Sequence, residues 1–480
     1  MSVKRDTLYN LAGSITPMFV SLVTVPIFLH LIGNARYGVL ALVWLFLGYF
    51  GVFDPGITRA AAFHIARLHG PDQGKERESV FWTALLINLT FGVVGGVVLF
   101  LVARPVFMSM FKMPESMRVE VMKSLPWMAA SIPLSVVGGV IGGALQARIW
   151  FGFYNSVRTA NAVISQLAPL AVAFWHGPDL AWLIPTVIIA RLLGIIPTSL
   201  ALIRAMPLGV GGRVERSRFK TLFSYGAWVT ITNLLSPLLE AADRFLIGSL
   251  LDAEAVAFYT VPFNLMNRVA VVPGSLASSL FPKLSRGSDE ESLRLASDAV
   301  LALAAVMTPL IVLTIGALPV FMRHWVGIYF AHHAVPVGIV LLVGVWINGL
   351  AYIPYGHLQA SDRPDIVAKF HAIELIPFLG VLWLGLHYFG LVGAAYAWTL
   401  RVAFDAGLLF FASRTFPRVH KLLPAVLFLV LAAILAPTAV LSARTGLELG
   451  LLAVVILWSW TLSPALRSTV RGWVRVRTAV

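Results

Sequence analysis

Six arginines lie within long apolar stretches of the chain: Arg59, Arg158, Arg191, Arg244, Arg268 and Arg401. A guanidinium cannot shed its proton in a protein, and placing one at the centre of a membrane helix costs about 2.5–3.5 kcal/mol. Six central ones would together cost on the order of 15–20 kcal/mol, more than a domain's whole stability. Each must therefore sit near an interface, be paired with an acid, or face water. A cation at membrane depth with no acid nearby has one obvious chemistry, which is to receive an anion.

Depth along a helix, at 1.5 Å per residue, separates the six. Arg191, Arg268 and Arg401 fall about 15–20 Å from the outer ends of their helices, near the midplane. Arg191 and Arg268 have no acidic residue within four positions, and a hydrated, anion-binding cavity is the most economical reading for both. Arg401 has Asp405 one turn on, and Glu374 in the preceding span reaches a similar depth. That trio reads either as a structural ion pair or as a site whose protonation changes. Arg158 is about 10 Å from the start of its span, within snorkelling reach of the interface. Arg244 adjoins Asp243, one turn from Glu240, and reads as an interfacial charge cluster. Arg59 belongs to FDPGITRAAAFHIARLHG, where Asp54 before Pro55 forms a helix-starting pair. A new helical segment should begin there, about 24 Å below the outer end of the span, with Arg59 about 30 Å below it, where depth alone reads it as an anchor close to the cytoplasmic interface. Asp54, Glu374, Asp405 and His371 are the candidates for ion coupling.

The elements that position these residues follow from composition. Of 480 residues 59% are hydrophobic and 12% charged, against about a quarter charged in soluble proteins. Mean hydropathy is +0.85. Windows of about 20 apolar residues predict fourteen spans and an all-α polytopic membrane protein. Twenty-three Lys and Arg residues fall in segments on the side of the termini and seven on the other side, so the positive-inside rule puts both termini in the cytoplasm. That bias accounts for most of the net charge of +14, and nucleic acid is not needed to explain it. The glycine-rich basic stretch LGVGGRVERSRFK divides a first six-span lobe, residues 1–207, from a second. The linker is 208–220, the second lobe 221–415, and residues 416–480 add two helices and a basic tail. Weak likenesses between the halves, such as the Leu-Ile-Gly before an outer turn in each, hint at duplication.

Chemistry is also excluded. There are no cysteines, which removes disulfides, thiolate nucleophiles and thiolate-bound metals. Phosphate-loop, zinc-protease and nucleophile-elbow motifs do not occur, so no catalytic residue, metal site or cofactor is predicted. Energy would have to come from H⁺ or Na⁺ coupling, or from the membrane potential. Val136–Leu145, VVGGVIGGAL, carries two overlaid small-xxx-small pairs, a signal for close helix packing.

The opening TLYNLAGSITPMFVSLVTVPIFLHLIGNARYGVLAL, the FDPGITRAAA that follows, and DRFLIGSLLDAEAVAFYTVPFNLMNRVAVVPGSLASSLFPKLS resemble the polysaccharide transporter family. This is the Wzx-type O-antigen and exopolysaccharide flippase branch of the multidrug/oligosaccharidyl-lipid/polysaccharide superfamily. The resemblance implies two pseudo-symmetric six-helix lobes around a central cavity that opens alternately to each side of the bacterial inner membrane. It implies a polyprenyl-diphosphate-linked oligosaccharide as cargo, with cationic cavity residues meeting the diphosphate. By position it favours Arg59, Arg244 and Arg268, with Arg191 and Arg401 depending on which way their helices face. Glycan polymerases or glycosyltransferases are the protein partners it suggests, around a monomeric transporter in contact with membrane lipids. A lipid II flippase and a drug/cation antiporter of the same fold remain open readings. A polysaccharide polymerase or ligase is disfavoured by the short outer loops.

Overall fold

The computed structural model describes residues 3–48, 54, 56–68, 70–148, 150–206, 239, 241–285, 289–361, 363–416, 421–436, 441–463 and 467. Among these there is no strand. The basic stretch 208–220 and the C-terminal tail after residue 467 lie outside them, as does Glu240.

The chain divides into two compact units, Met1–Ala257 and Phe258–Val480. In the first, α1 (Val3–Gly48), α2 (Ile57–Arg67), α3 (Gly74–Pro105), α4 (Glu115–Ala147), α5 (Phe151–His176), α6 (Leu180–Leu193) and α7 (Ile195–Ala205) are followed by α8 (residues 241–250). A helix α9 (Ala253–Met266) spans the division. The second unit continues with α10 (Val271–Leu284), α11 (Asp289–Val326), α12 (Ile328–Ala360), α13 (Pro364–Ser413), α14 (Leu423–Leu435) and α15 (Leu441–Leu462).

Among the described residues nine helical segments are long and apolar enough to cross a membrane, and α14 and part of α15 form two shorter apolar ones. Two of the nine segments each cover two of the predicted spans, and the seventh predicted span lies mostly outside the described residues. α1 joins spans one and two through Gly33 (φ 77°, ψ 164°), and α13 joins spans eleven and twelve through Gly390 (φ 56°, ψ −140°). Both conformations lie in the region that L side chains avoid. The backbones of Gly385 and Gly393 touch on either side of Gly390, so the two halves of α13 fold back along each other.

The helices are laid out by what each exposes. α3 presents Leu89, Val93, Val94, Val97, Val98 and Leu101 outward, a face suited to lipid tails, and turns Gly92 and Gly96 onto Pro133 and Ala129 of α4. The small-xxx-small signal in α4 is partly a packing device. A Cβ on Gly142 would stand 2.6 Å from the Tyr154 ring, and one on Gly143 3.0 Å from Thr58. α2, α3, α4 and α7 close around a core that includes Ile57, Ile65, Phe81, Ile87, Leu145 and Leu202.

The end of the first unit that carries Gly33 is stitched together. Lys112 donates its backbone N–H to Gly248 O at 2.9 Å and its Nζ to Leu250 O at 2.6 Å, and accepts from Ala253 N at 3.1 Å. Asn34 Nδ2 donates to Glu254 Oε1 at 2.8 Å. Gly38 lies so close to the Ala253 carbonyl that any side chain would collide with it. Arg36 grips Glu120 through two hydrogen bonds, at 2.6 and 3.0 Å, and Glu120 also accepts from Leu180 N at the start of α6.

Candidate functional site

The first unit contains a cavity of about 410 Å³ lined by both Arg158 and Arg191. Arg191 sits near the end of α6, where the helix breaks before Gly194 and resumes as α7. Pro197 has no N–H to offer Leu193, which weakens the ladder at this point. Asn161 of α5 compensates nearby, donating Nδ2 to the Arg191 carbonyl at 2.7 Å. The break and its amide support hold Arg191 on the cavity wall. Arg158 reaches the same space from α5, one turn before Asn161. The floor includes Gly138, Gly139 and Gly194, and Ser135, Tyr154, Ser165 and Thr198 add hydroxyls. Among the described residues no acidic side chain lines it. Two guanidiniums, three glycines and several hydroxyls make a lining whose chemistry suits an anion, in a volume with room for more than one phosphate-sized group.

Arg158 is exposed onto this cavity, a neighbourhood that its distance from the span's start does not reveal. Gly138 and Gly139 likewise line the cavity, while Gly142 and Gly143 make the tight helix contacts.

The second unit holds the other cluster. Glu374 is 1% exposed, Arg401 Nη1 stands 3.9 Å from its Oε2, and Asp405 is close enough to interact with it electrostatically. Among the described residues no N–H donor is in place for either Glu374 oxygen or for Asp405 Oδ1, and Arg401 Nε has no acceptor, so the two neighbouring carboxyls can bond only by sharing a proton. The Arg401 guanidinium lies over the Phe378 ring, 5.5 Å from its centroid. Two carboxyls and one cation in a space without enough hydrogen bonds are suited to exchange a proton or a small cation, since like charges so close resist joint ionisation. His371, one turn before Glu374 on α13, is half-buried.

The remaining candidates are dispersed. Arg244 is 2% exposed and Asp243 0%; Asp243 Oδ1 accepts from Arg244 Nη1 at 2.9 Å and from its backbone N–H at 2.7 Å. The pair is therefore buried and not at an exposed interface, because α8 packs it inside the unit. Arg268 is exposed on a 3₁₀ stretch, Asn267–Ala270, between α9 and α10. Pro273 removes the N–H that would reach Val269 and so contributes to that irregularity. Asp54 Oδ1 accepts from Thr58 N at 3.2 Å, capping α2. The helix starts at Ile57, later than the Asp-Pro pair suggests, because Gly56 (φ 73°) makes the turn. Arg59 is exposed on the side of α2 opposite its buried residues Ile57, Ala60, Ala61 and Ile65.

Comparison with known proteins places this architecture. A Shigella flexneri protein named "Putative O-antigen transporter" is 26% identical over 410 residues, covering 85% of this chain and 97% of its own length. Among solved structures, the lipid II flippase MurJ in an inward closed conformation matches with a TM-score of 0.70 and 16% identity, over 95% of this chain and 98% of that one. An inward-facing multidrug resistance MATE family transporter of the MOP superfamily matches with a TM-score of 0.64 and 16% identity, over 88% and 96%. At such identities these two structures speak for the fold. They agree with the helical spans in making this a multi-pass membrane protein. A family model described as polysaccharide biosynthesis protein matches residues 3–288, well over half of the chain, and the protein belongs to that family.

Proposed function

We propose that this protein moves a polyprenyl-diphosphate-linked oligosaccharide from the cytoplasmic to the outer leaflet of the bacterial inner membrane, by alternating access, for O-antigen, capsule or exopolysaccharide assembly. One observation carries the reading: Arg158 and Arg191 share a single cavity, with no acidic residue on its walls among the described residues. Paired guanidiniums match the fork geometry of phosphate oxygens, and a diphosphate is the anionic group that a lipid-linked glycan presents. A drug/cation antiporter would need acids where this cavity has arginines. The relative named as an O-antigen transporter and the polysaccharide family support the glycan; the likeness to a lipid II flippase is one of fold.

The positive-inside bias supports termini in the cytoplasm. In that orientation a cargo with about two negative charges gains roughly 4–5 kcal/mol moving outward across 100 mV. The Glu374–Asp405–Arg401 cluster is the candidate for added H⁺ or Na⁺ coupling. Glycan polymerases and glycosyltransferases are the partners that such a transporter would serve.

The test is complementation. In a strain lacking this gene and any paralogue, lipid-linked repeat units should accumulate on the cytoplasmic leaflet and surface glycan should be lost. Wild-type protein should restore it, and the Arg158→Gln/Arg191→Gln variant should not, while inserting at normal levels. Unchanged surface glycan in the deletion strain would overturn the reading.

A further inference from the structure

Outward-facing residues along the eighth span differ in kind from those on a lipid-facing helix. In α3 the exposed residues from Leu86 to Val102 are apolar apart from Thr90. From α9 through the 3₁₀ stretch into α10, the exposed residues include Asn264, Asn267, Arg268, Ser275, Ser278 and Ser279. These six share the exposed side of the stretch. Val271, Val272 and Phe281 are apolar residues exposed beside them. The opposite side is buried at Pro262, Phe263, Met266 and Pro273, with Pro273 packed near Gly349 of α12. A hydrocarbon environment does not tolerate an exposed face of two amides, three hydroxyls and a guanidinium, so this face borders water. Asn264 to Ser279 covers about 22 Å of helix, and Lys283 lies exposed one turn beyond.

The three hydroxyls also share a polarity. Ser275 donates to Val271 O at 2.7 Å, Ser278 to Gly274 O at 2.8 Å and Ser279 to Leu276 O at 2.8 Å. Each proton is committed to the helix, so the lone pairs are what the face offers. Such a row accepts hydrogen bonds. It suits a ligand rich in neutral hydroxyl donors and gives nothing to a phosphate, which itself only accepts.

We propose that this face of span eight is a track for the sugar rings of the cargo, with Ser275, Ser278 and Ser279 accepting from glycan hydroxyls and Asn264 and Asn267 adding amide contacts. It recognises the carbohydrate separately from the diphosphate. The inference rests on the flippase reading, and two measurements keep their failures apart.

The first needs no substrate. The chain has no cysteine, so single replacements report cleanly. Ser275→Cys, Ser278→Cys and Asn264→Cys should react with a charged thiosulfonate reagent in membrane vesicles, whereas Leu89→Cys and Val97→Cys of α3 should not. Equal protection of both sets places the face in lipid and overturns the track. The second compares binding of a polyprenyl diphosphate with that of the same lipid carrying its oligosaccharide, using full-length protein in nanodiscs. Ser275→Ala/Ser278→Ala/Ser279→Ala should weaken binding of the glycosylated lipid by about tenfold and leave the bare lipid within about twofold. A triple variant that binds both as wild type does, or a wild type that prefers neither, overturns the track. A wild type that binds neither lipid overturns the flippase reading, and the track with it, even where the cysteines have shown the face to be wet.

Discussion

Asn161 donates its side-chain amide to the carbonyl oxygen of Arg191 across 2.7 Å, joining α5 to the break between α6 and α7. Arg158 is one turn away on the same helix, so one asparagine fixes the spacing of the two cavity cations. Asn161→Ala should cost about 1 kcal/mol of stability and lower transport several-fold. Asn161→Asp should be worse, because it removes the donor and sets a carboxylate between two guanidiniums. Transport by the aspartate variant equal to wild type would argue against an anion in this cavity.

Arg268 and Arg244 should fail in different ways. Arg268→Ala removes an exposed cation and should abolish transport with normal insertion and melting behaviour. Arg244→Ala takes the guanidinium from Asp243, which is 0% exposed, and removal of one partner from a buried pair costs about 3–5 kcal/mol. Thermal unfolding in detergent, measured beside surface-glycan restoration, distinguishes the two. An Arg268→Ala protein with wild-type transport would remove that residue from the path of the cargo.

Glu374→Gln keeps the shape of the side chain and removes its ability to ionise. If the cluster with Arg401 and Asp405 couples transport to a cation, this variant should lose the response to an imposed proton or sodium gradient while still moving cargo down its own gradient in proteoliposomes. Arg401→Ala should cost about 3 kcal/mol or more, since it leaves the adjacent carboxyls without their cation. Glu374→Gln in the same chain should recover much of that loss.

Gly38→Val places a branched side chain against the Ala253 carbonyl. Overpacking of this kind costs about 1–3 kcal/mol and should prise α1 from α9 at the outer end. A cysteine at Asn34, whose amide now bonds Glu254, should then label faster from outside than in the glycine parent. Unchanged labelling would mean that the outer contacts yield elsewhere.

The positions of the helices were legible because the bilayer imposes a length and a composition on every span. Orientation around each helix axis was not. The cavity beside Arg158 was not legible, because depth says nothing about which wall of α5 meets a cavity, and that is set by packing among α1, α5 and α6. Arg244 looked interfacial since its neighbours are charged; burial of the Asp243 pair depends on tertiary contacts beyond any local pattern. The five residues left between the first two spans gave no sign that helix would resume directly after Gly33. The break near Asp54 was readable because an aspartate before a proline caps helices for local reasons, although Gly56 moved the start to Ile57.

Gly33 and Gly390 each turn the chain around within a single helical segment. An epitope or reporter tag inserted at either glycine would have to break a hairpin, so neither turn is a place for a regulatory handle.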